Sequence, residues 1–279
     1  MPTPVSEPIT RLRRYVVVFS ILGLGLLSLQ AGWRAAAAKQ LEGIHGRDDR
    51  QIVSSVDWPW SPVGRVNRET GGHCTGTLIG PRTVLTAAHC LYVIKTRRLS
   101  PPRSVHFVAG YSRGAWKAHS RAEKLIIAPG YTYGRVGGMK RSSTDWALVV
   151  LAKPIGRDVG WFGIRRLDAK GLKQLRQPSD GSAPPAIGQA GYSQDKKHIL
   201  TANRRCPSIN WNNAGPVLFH KCDTVSGDSG SPIFLSDDRG HTLIGIVVGN
   251  GRNSRLGRFG VGVPTASFFD TALPYTRER

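Results

Sequence analysis

The sequence predicts an all-β protein, a sandwich or a pair of barrels. Three observations carry that prediction. From Val56 onward the chain is a series of short apolar runs broken by Gly, Pro, Asn and Asp. These runs are strand-sized, and several are rich in the β-branched residues that suit a pleated, half-buried surface. Long helical periodicity is scarce, and no internal repeat is visible. With 279 residues, 40% of them hydrophobic, the chain is long enough for a full core.

The elements follow in order. Arg11, Arg13 and Arg14 precede an apolar run from Tyr15 to Leu29, and Ala36-Ala37-Ala38 follows it. A basic start, an apolar stretch and small residues form the pattern of a secretory signal over residues 1–38. An uncleaved anchor is the alternative, although the run is short for a span of about 20 residues. No cysteine precedes Cys74, which excludes a lipidated N-terminal cysteine. Residues 39–50 are polar and charged and read as a short leader or pro-segment, with the body of the protein over 51–279. Strand candidates are Thr77–Ile79, Thr83–Thr86, Val105–Val108, Ala147–Leu151 and Leu243–Val248. Ala169–Leu175 and Ala266–Leu273 are candidates for short helices. Pro178–Pro185 reads as a surface loop.

The four cysteines fall into two equally spaced pairs, Cys74 with Cys90 and Cys206 with Cys222. In an exported chain the pattern reads as two local disulfides. Reduced thiols or a zinc site are the alternatives, but a tight Cys-x-x-Cys pair is missing for zinc. The formal charge is +21. Four of the 39 basic and one of the 18 acidic residues precede Lys39, so the remainder carries about +18. Such a field attracts polyanions. Export argues against nucleic acid and favours an anionic cell-envelope surface. General solubility is the plainer explanation, since the basic residues are scattered. Stable membrane insertion after signal removal is not expected.

Three short segments carry chemistry. Gly227-Asp228-Ser229-Gly230-Ser231-Pro232 holds a serine in a glycine-flanked loop, His89 sits in Thr86-Ala87-Ala88-His89-Cys90, and Asp145 opens Asp145-Trp146-Ala147-Leu148. A serine hydroxyl is a weak nucleophile at neutral pH. It needs a base to take its proton and a third group to orient that base. Ser229, His89 and Asp145 are the candidates for those roles. The remaining histidines, His220 included, read as surface or structural.

With Asp48-Asp49-Arg50, Trp58-Pro59-Trp60, Cys74 to Pro81, Leu85 to Cys90, Gly160-Trp161-Phe162-Gly163, Gly191-Tyr192-Ser193, Cys222-Asp223-Thr224 and Gly262-Val263-Pro264-Thr265, the chain resembles the chymotrypsin-like serine proteases. Within them it is similar to the bacterial branch that includes glutamyl endopeptidases. The resemblance spans about residues 48–264. It implies two antiparallel six-stranded-type β-barrels, over about 56–155 and 160–265, with a short C-terminal helix. It implies His89 and Asp145 from the first barrel, Ser229 from the second, and backbone N–H groups of Gly227 and Ser229 as an oxyanion hole. The order His, Asp, Ser fits this family and no other triad fold. The expected activity is cleavage of protein or peptide substrates by a serine endopeptidase that uses no cofactor and no metal. A catalytically silent binding protein and an esterase-type hydrolase are the rivals.

Specificity divides into open readings. Asp223 lies six residues before Ser229, where trypsin-like enzymes place the base of a pocket for Arg or Lys. In the bacterial branch an Asp-Thr pair such as Asp223-Thr224 also occurs with the aspartate turned away. Glutamyl endopeptidases resemble one another in a histidine after Gly-Ile, where this chain has Val247. Val248 and Gly249 are expected at the pocket edge, binding substrate backbone as an added strand. Asp228 matches the aspartate that pairs with a freed ammonium in trypsin-like zymogens. Cleavage near Ile52-Val53 is one source of such a terminus, and a hydrogen bond to the loop backbone is the alternative.

Overall fold

The computed structural model describes residues 41–133, 142–212, 215–237 and 240–277. The expected export signal lies outside the described residues. The strands are β1 (Gln51–Ile52), β2 (Val63–Arg68), β3 (His73–Leu78), β4 (Thr83–Thr86), β5 (Tyr92–Val93), β6 (Arg98–Leu99), β7 (Val105–Ala109), β8 (Ala118–Ile127) and β9 (Ala147–Leu151). They continue as β10 (Gly163–Ile164), β11 (Ile187–Gly191), β12 (Thr201–Asn203), β13 (Ile209–Asn212), β14 (Val217–His220), β15 (Pro232–Asp237), β16 (Gly240–Asn253) and β17 (Gly257–Pro264). Three short α-helices are described, α1 (Gly156–Val159), α2 (Ala169–Arg176) and α3 (Phe269–Ala272). None of the described helices is long and apolar enough to cross a membrane.

The first half is a closed barrel in the order β2-β3-β4-β9-β8-β7, with β7 returning to β2. Its interior holds Val66, Leu78, Val84, Phe107, Val149 and Leu151. β7 (VHFVA) alternates buried and half-buried residues, the period of a strand with one face on the core. β9 (ALVVL) is buried almost throughout because β4 and β8 flank it. β8 (AHSRAEKLII) buries Ser120 and Ala122 and exposes charged neighbours, which hides it from a search for apolar runs.

The second half is a nine-stranded sheet along β1-β12-β11-β15-β16-β17-β14-β13, with β10 added in parallel to β16. The mostly β architecture, with its closed six-stranded barrel and short C-terminal helix, agrees with the expected fold class. Among the described residues the second sheet runs from β1 to β13, and Arg176 Nη1 of α2 donates to Asn210 Oδ1 of β13 at 2.8 Å. The Asp168 carboxylate caps α2 by accepting the Gly171 N–H at 2.8 Å, and Leu172 and Leu175 turn into the core. The C-terminal helix is one turn, Phe269–Ala272, extended on both sides by 3₁₀ turns.

A shared core joins the halves. Val63, Ile79, Leu85 and Leu148 from the first pack with Tyr192, Phe234, Ile246 and Val263 from the second. Residues 41–50 also belong to this body. β1 pairs with β12 through Gln51↔Ala202 and Ile52↔Thr201, and the Gly43 carbonyl accepts the Thr224 N–H at 3.0 Å.

Candidate active site

His89 and Asp145 meet because of one register. β4 and β9 pair antiparallel, with Thr86 opposite Ala147. The chain leaves β4 into a 3₁₀ turn, Ala88–Leu91, and enters β9 just after Asp145. The Asp145 carboxylate then grips His89 twice. Oδ2 is 2.7 Å from Nδ1, and Oδ1 accepts the His89 N–H at 2.9 Å. An ionised carboxylate only accepts, so Nδ1 donates and Nε2 is left with a free lone pair. The turn is tied to β3 by the disulfide Cys74–Cys90.

The Ser229 loop reaches the same place from the second half. Cys90 Sγ lies 3.8 Å from His89 Nε2 and 3.8 Å from the Ser229 carbonyl oxygen. The Thr75 N–H donates to that oxygen at 2.9 Å, and Thr75 Oγ1 donates to the Gly227 carbonyl at 3.0 Å. Two glycines are required here. Gly227 has φ +98°, and a Cβ on it would stand 2.6 Å from the Tyr192 carbonyl oxygen. Gly230 has φ +84°, and its Cβ would stand 2.2 Å from the Thr75 carbonyl oxygen. Among the described residues, the N–H groups of Gly227 and Ser229 donate to no protein acceptor. These are the two expected for an oxyanion.

Asp228 points inward and is fully buried. Its Oδ2 accepts the Val225 N–H at 2.8 Å and the Ser193 hydroxyl at 2.7 Å. Burial pushes its carboxyl up to about 6, against the pull of those two donors and of the Arg50 charge. Ile52 stands on β1 with its side chain 65% exposed.

Asp223 is 2% exposed and faces the N-terminal segment. Oδ1 accepts the His45 N–H at 2.6 Å and Oδ2 the Asp49 N–H at 3.3 Å. Burial raises its carboxyl, and those two bonds oppose the rise. Thr224 Oγ1 donates to Asn250 Oδ1 at 2.8 Å, and Asn250 Nδ2 returns a bond to the Thr224 carbonyl at 3.0 Å. Val248 falls at a bulge of β16, between the pairs Val247↔Gly262 and Gly249↔Val261. Nothing lies within 4 Å of where a Cβ on Gly249 would sit, so this edge is open. The second disulfide, Cys206–Cys222, fastens the chain just before Asp223. Among the described residues, the one grouping with metal-ligand geometry is Cys74, His89 and Cys90, and its two sulfurs are already bonded to each other.

Sequence reasoning missed Arg50 and Ser193. The Arg50 side chain is 1% exposed and meets Asp48 Oδ2 at 2.8 Å and Asp195 Oδ2 at 2.7 Å. Its Nη1 donates to Ser193 Oγ at 2.9 Å. Burial works against the guanidinium charge, and the two carboxylates more than offset it. Arg50 in turn holds Asp48 well below the usual carboxylate range. Ser193 and Asp195 stand 143 and 145 residues further on, so no local pattern announces the cluster.

A closed barrel and a second sheet, with His89, Asp145 and Ser229 at their junction, place the chain in the fold class of the trypsin-like proteins. The trypsin family profile matches residues 49–272, and the chain belongs to that family. Among its relatives is a glutamyl endopeptidase of Bacillus licheniformis, 27% identical over 214 residues, which cover 72% of this chain and 57% of the relative. An extracellular metalloprotease of Bacillus subtilis is 24% identical over 78% of this chain and 66% of its own length. A trypsin-like protease of Streptomyces glaucescens is 28% identical over 88% of this chain and 91% of its own length. A solved Glu endopeptidase in complex with MPD shares the fold, with a TM-score of 0.64 at 22% identity, over 84% of this chain and 99% of that one.

Proposed function

We propose that this chain is an exported serine endopeptidase that cleaves protein or peptide substrates through an acyl-enzyme. The observation that carries the reading is the His89–Asp145 pair beside the Ser229 loop. Ser229 Oγ attacks the scissile carbonyl carbon while His89 Nε2 takes its proton. The same proton then goes to the leaving amine, and water repeats the sequence on the ester. Asp145 fixes the tautomer and stabilises the imidazolium. The free N–H groups of Gly227 and Ser229 receive the developing negative charge, where one donor is typically worth about 3–4 kcal/mol. These groups all belong to the chain itself, so no cofactor or metal is assigned a role.

Asp223 is proposed as an anchor of the N-terminal segment, since both its oxygens are occupied by backbone N–H groups of residues 45 and 49. Thr224, Val248 and Gly249 line the substrate edge. Export is supported by the pairing of all four cysteines. The charge of +21 suits an anionic envelope surface.

An active-site fluorophosphonate probe tests the reaction. Wild type should label and Ser229→Ala should not. Unlabelled wild type would sink the enzyme reading in favour of a silent binding protein. A labelled protein that turns over esters and no peptide would be an esterase. A peptide-library profile of Asp223→Ser tests the anchor role. Loss of a wild-type preference for Arg or Lys would return Asp223 to the pocket base.

A further inference from the structure

Removal of residues 39–50 is one way to read the charged segment before β1. The geometry points elsewhere. Arg50 is a guanidinium with its side chain 1% exposed, and burying such a group is costly unless it is paired. It is paired on one side by Asp48 and Asp195. On the other side Nη1 reaches Ser193 Oγ at 2.9 Å, and Ser193 Oγ reaches Asp228 Oδ2 at 2.7 Å. Asp228 stands between Gly227 and Ser229, the two residues whose N–H groups face no protein acceptor among the described residues. Its Oδ2 also accepts the Val225 N–H and its own N–H donates to the Val225 carbonyl, so the carboxylate sets the turn of this loop. The neighbouring chain adds a further tie, with the Gln194 N–H donating to the Ser226 carbonyl at 2.6 Å.

We propose that Arg50 is the positioning cation of the oxyanion loop, acting through the Ser193 hydroxyl on Asp228, and that the active protein therefore retains Arg50. The proposal rests on the serine-endopeptidase reading. Arg50 touches neither substrate nor the reacting atoms. It keeps Asp228 charged and turned inward, which aims the Gly227 and Ser229 N–H groups. The cation then comes from within the chain, one hydroxyl away from Asp228. Cutting the Arg50–Gln51 bond would separate the guanidinium from β1 and loosen the loop.

The test uses the full chain as the cell makes it. Arg50→Met should lower kcat about 10²-fold, the scale of losing an oxyanion donor, with KM changed little. The charge on the oxygen exists only in the transition state, so a loss carried by KM alone would overturn the role. Free guanidinium ion should restore a saturable part of the rate to Arg50→Ala, which a purely structural residue would not show. Ser193→Ala removes only the bridging oxygen and should lower kcat about tenfold, about 1.4 kcal/mol of barrier. It decides the matter if the Arg50 variants fold poorly, and wild-type kcat in a folded Ser193→Ala overturns the proposal. Intact mass of the probe-labelled protein should show an N-terminus at or before Arg50. A fully active species beginning at Gln51 or later would also overturn it. Failure of wild type to label sinks the endopeptidase reading itself. A labelled wild type with an equally fast Arg50→Met sinks only the role of Arg50.

Discussion

The two halves of this molecule place the candidate catalytic residues by different means. In the closed barrel, His89 and Asp145 follow directly from the pairing of β4 with β9. Few other contacts are needed, because two adjacent strand ends bring the side chains together. In the second half, the Ser229 loop lies between strands and is held from many directions. Thr75 reaches it from the first barrel, Gln194 from the β11–β12 connection, and Arg50 through Ser193 from the N-terminal segment. A strand register suffices to bring His89 and Asp145 together, whereas the serine in its glycine turn is held by contacts from distant segments.

Five variants test that contrast. The largest effect is expected at the nucleophile, where Ser229→Ala should reduce kcat about 10⁶-fold with little change in thermal midpoint. Next, Asp145→Asn keeps the shape of the His89 contact but reverses the preferred tautomer. It should reduce kcat about 10⁴-fold in a folded protein. Substituting the loop glycine should instead act on folding. Gly230→Ala meets the Thr75 carbonyl oxygen and a positive φ, and denaturant titration should show a loss above about 3 kcal/mol. Equal stability of Gly230→Ala and wild type would show that the loop relaxes freely, against the contrast drawn here. The two disulfides close loops of the same sequence separation, 16 residues, one in each half. On the chain-entropy model each is worth about 3 kcal/mol, so Cys74→Ser/Cys90→Ser and Cys206→Ser/Cys222→Ser should cost similar stability. The two double variants should still differ in function. Opening Cys74–Cys90 frees the His89 turn, and opening Cys206–Cys222 frees the approach to Asp223.

The smallest effect near neutral pH belongs to His220, buried on β14 in the second half. Burial, together with the charge of His45, pushes its pKa down from 6.5 to about 3. The folded state therefore holds it neutral while the unfolded chain takes up a proton. Its contribution is present above about pH 6.5 and is lost as pH falls toward 3. Stability measured against pH should decline more steeply over that window in wild type than in His220→Leu. Parallel curves would remove His220 as the cause.

The expected strands Thr83–Thr86 and Ala147–Leu151 coincide with β4 and β9, and Leu243–Val248 lies within β16. These are apolar, β-branched and buried, so their composition announces them. β8 was not legible, because four of its ten residues are exposed, and three of those are Arg121, Glu123 and Lys124. At the site, glycine-flanked Ser229 and the setting of His89 were readable because catalysis and tight turns demand specific residue types. Asp223 was ambiguous for a clear reason: a carboxylate six residues before a serine looks the same whichever way it points.

Read alone, the sequence put forward candidates for a nucleophile, a base and an orienting acid, together with the two cysteine pairs, because each role needs a particular residue in a particular local setting. Only the tertiary structure decided what surrounds them. It turned Asp223 onto residues 45 and 49 and put the Arg50 guanidinium behind Asp228. Those outcomes depend on burial and on contacts between residues well over a hundred positions apart, and no local pattern encodes them.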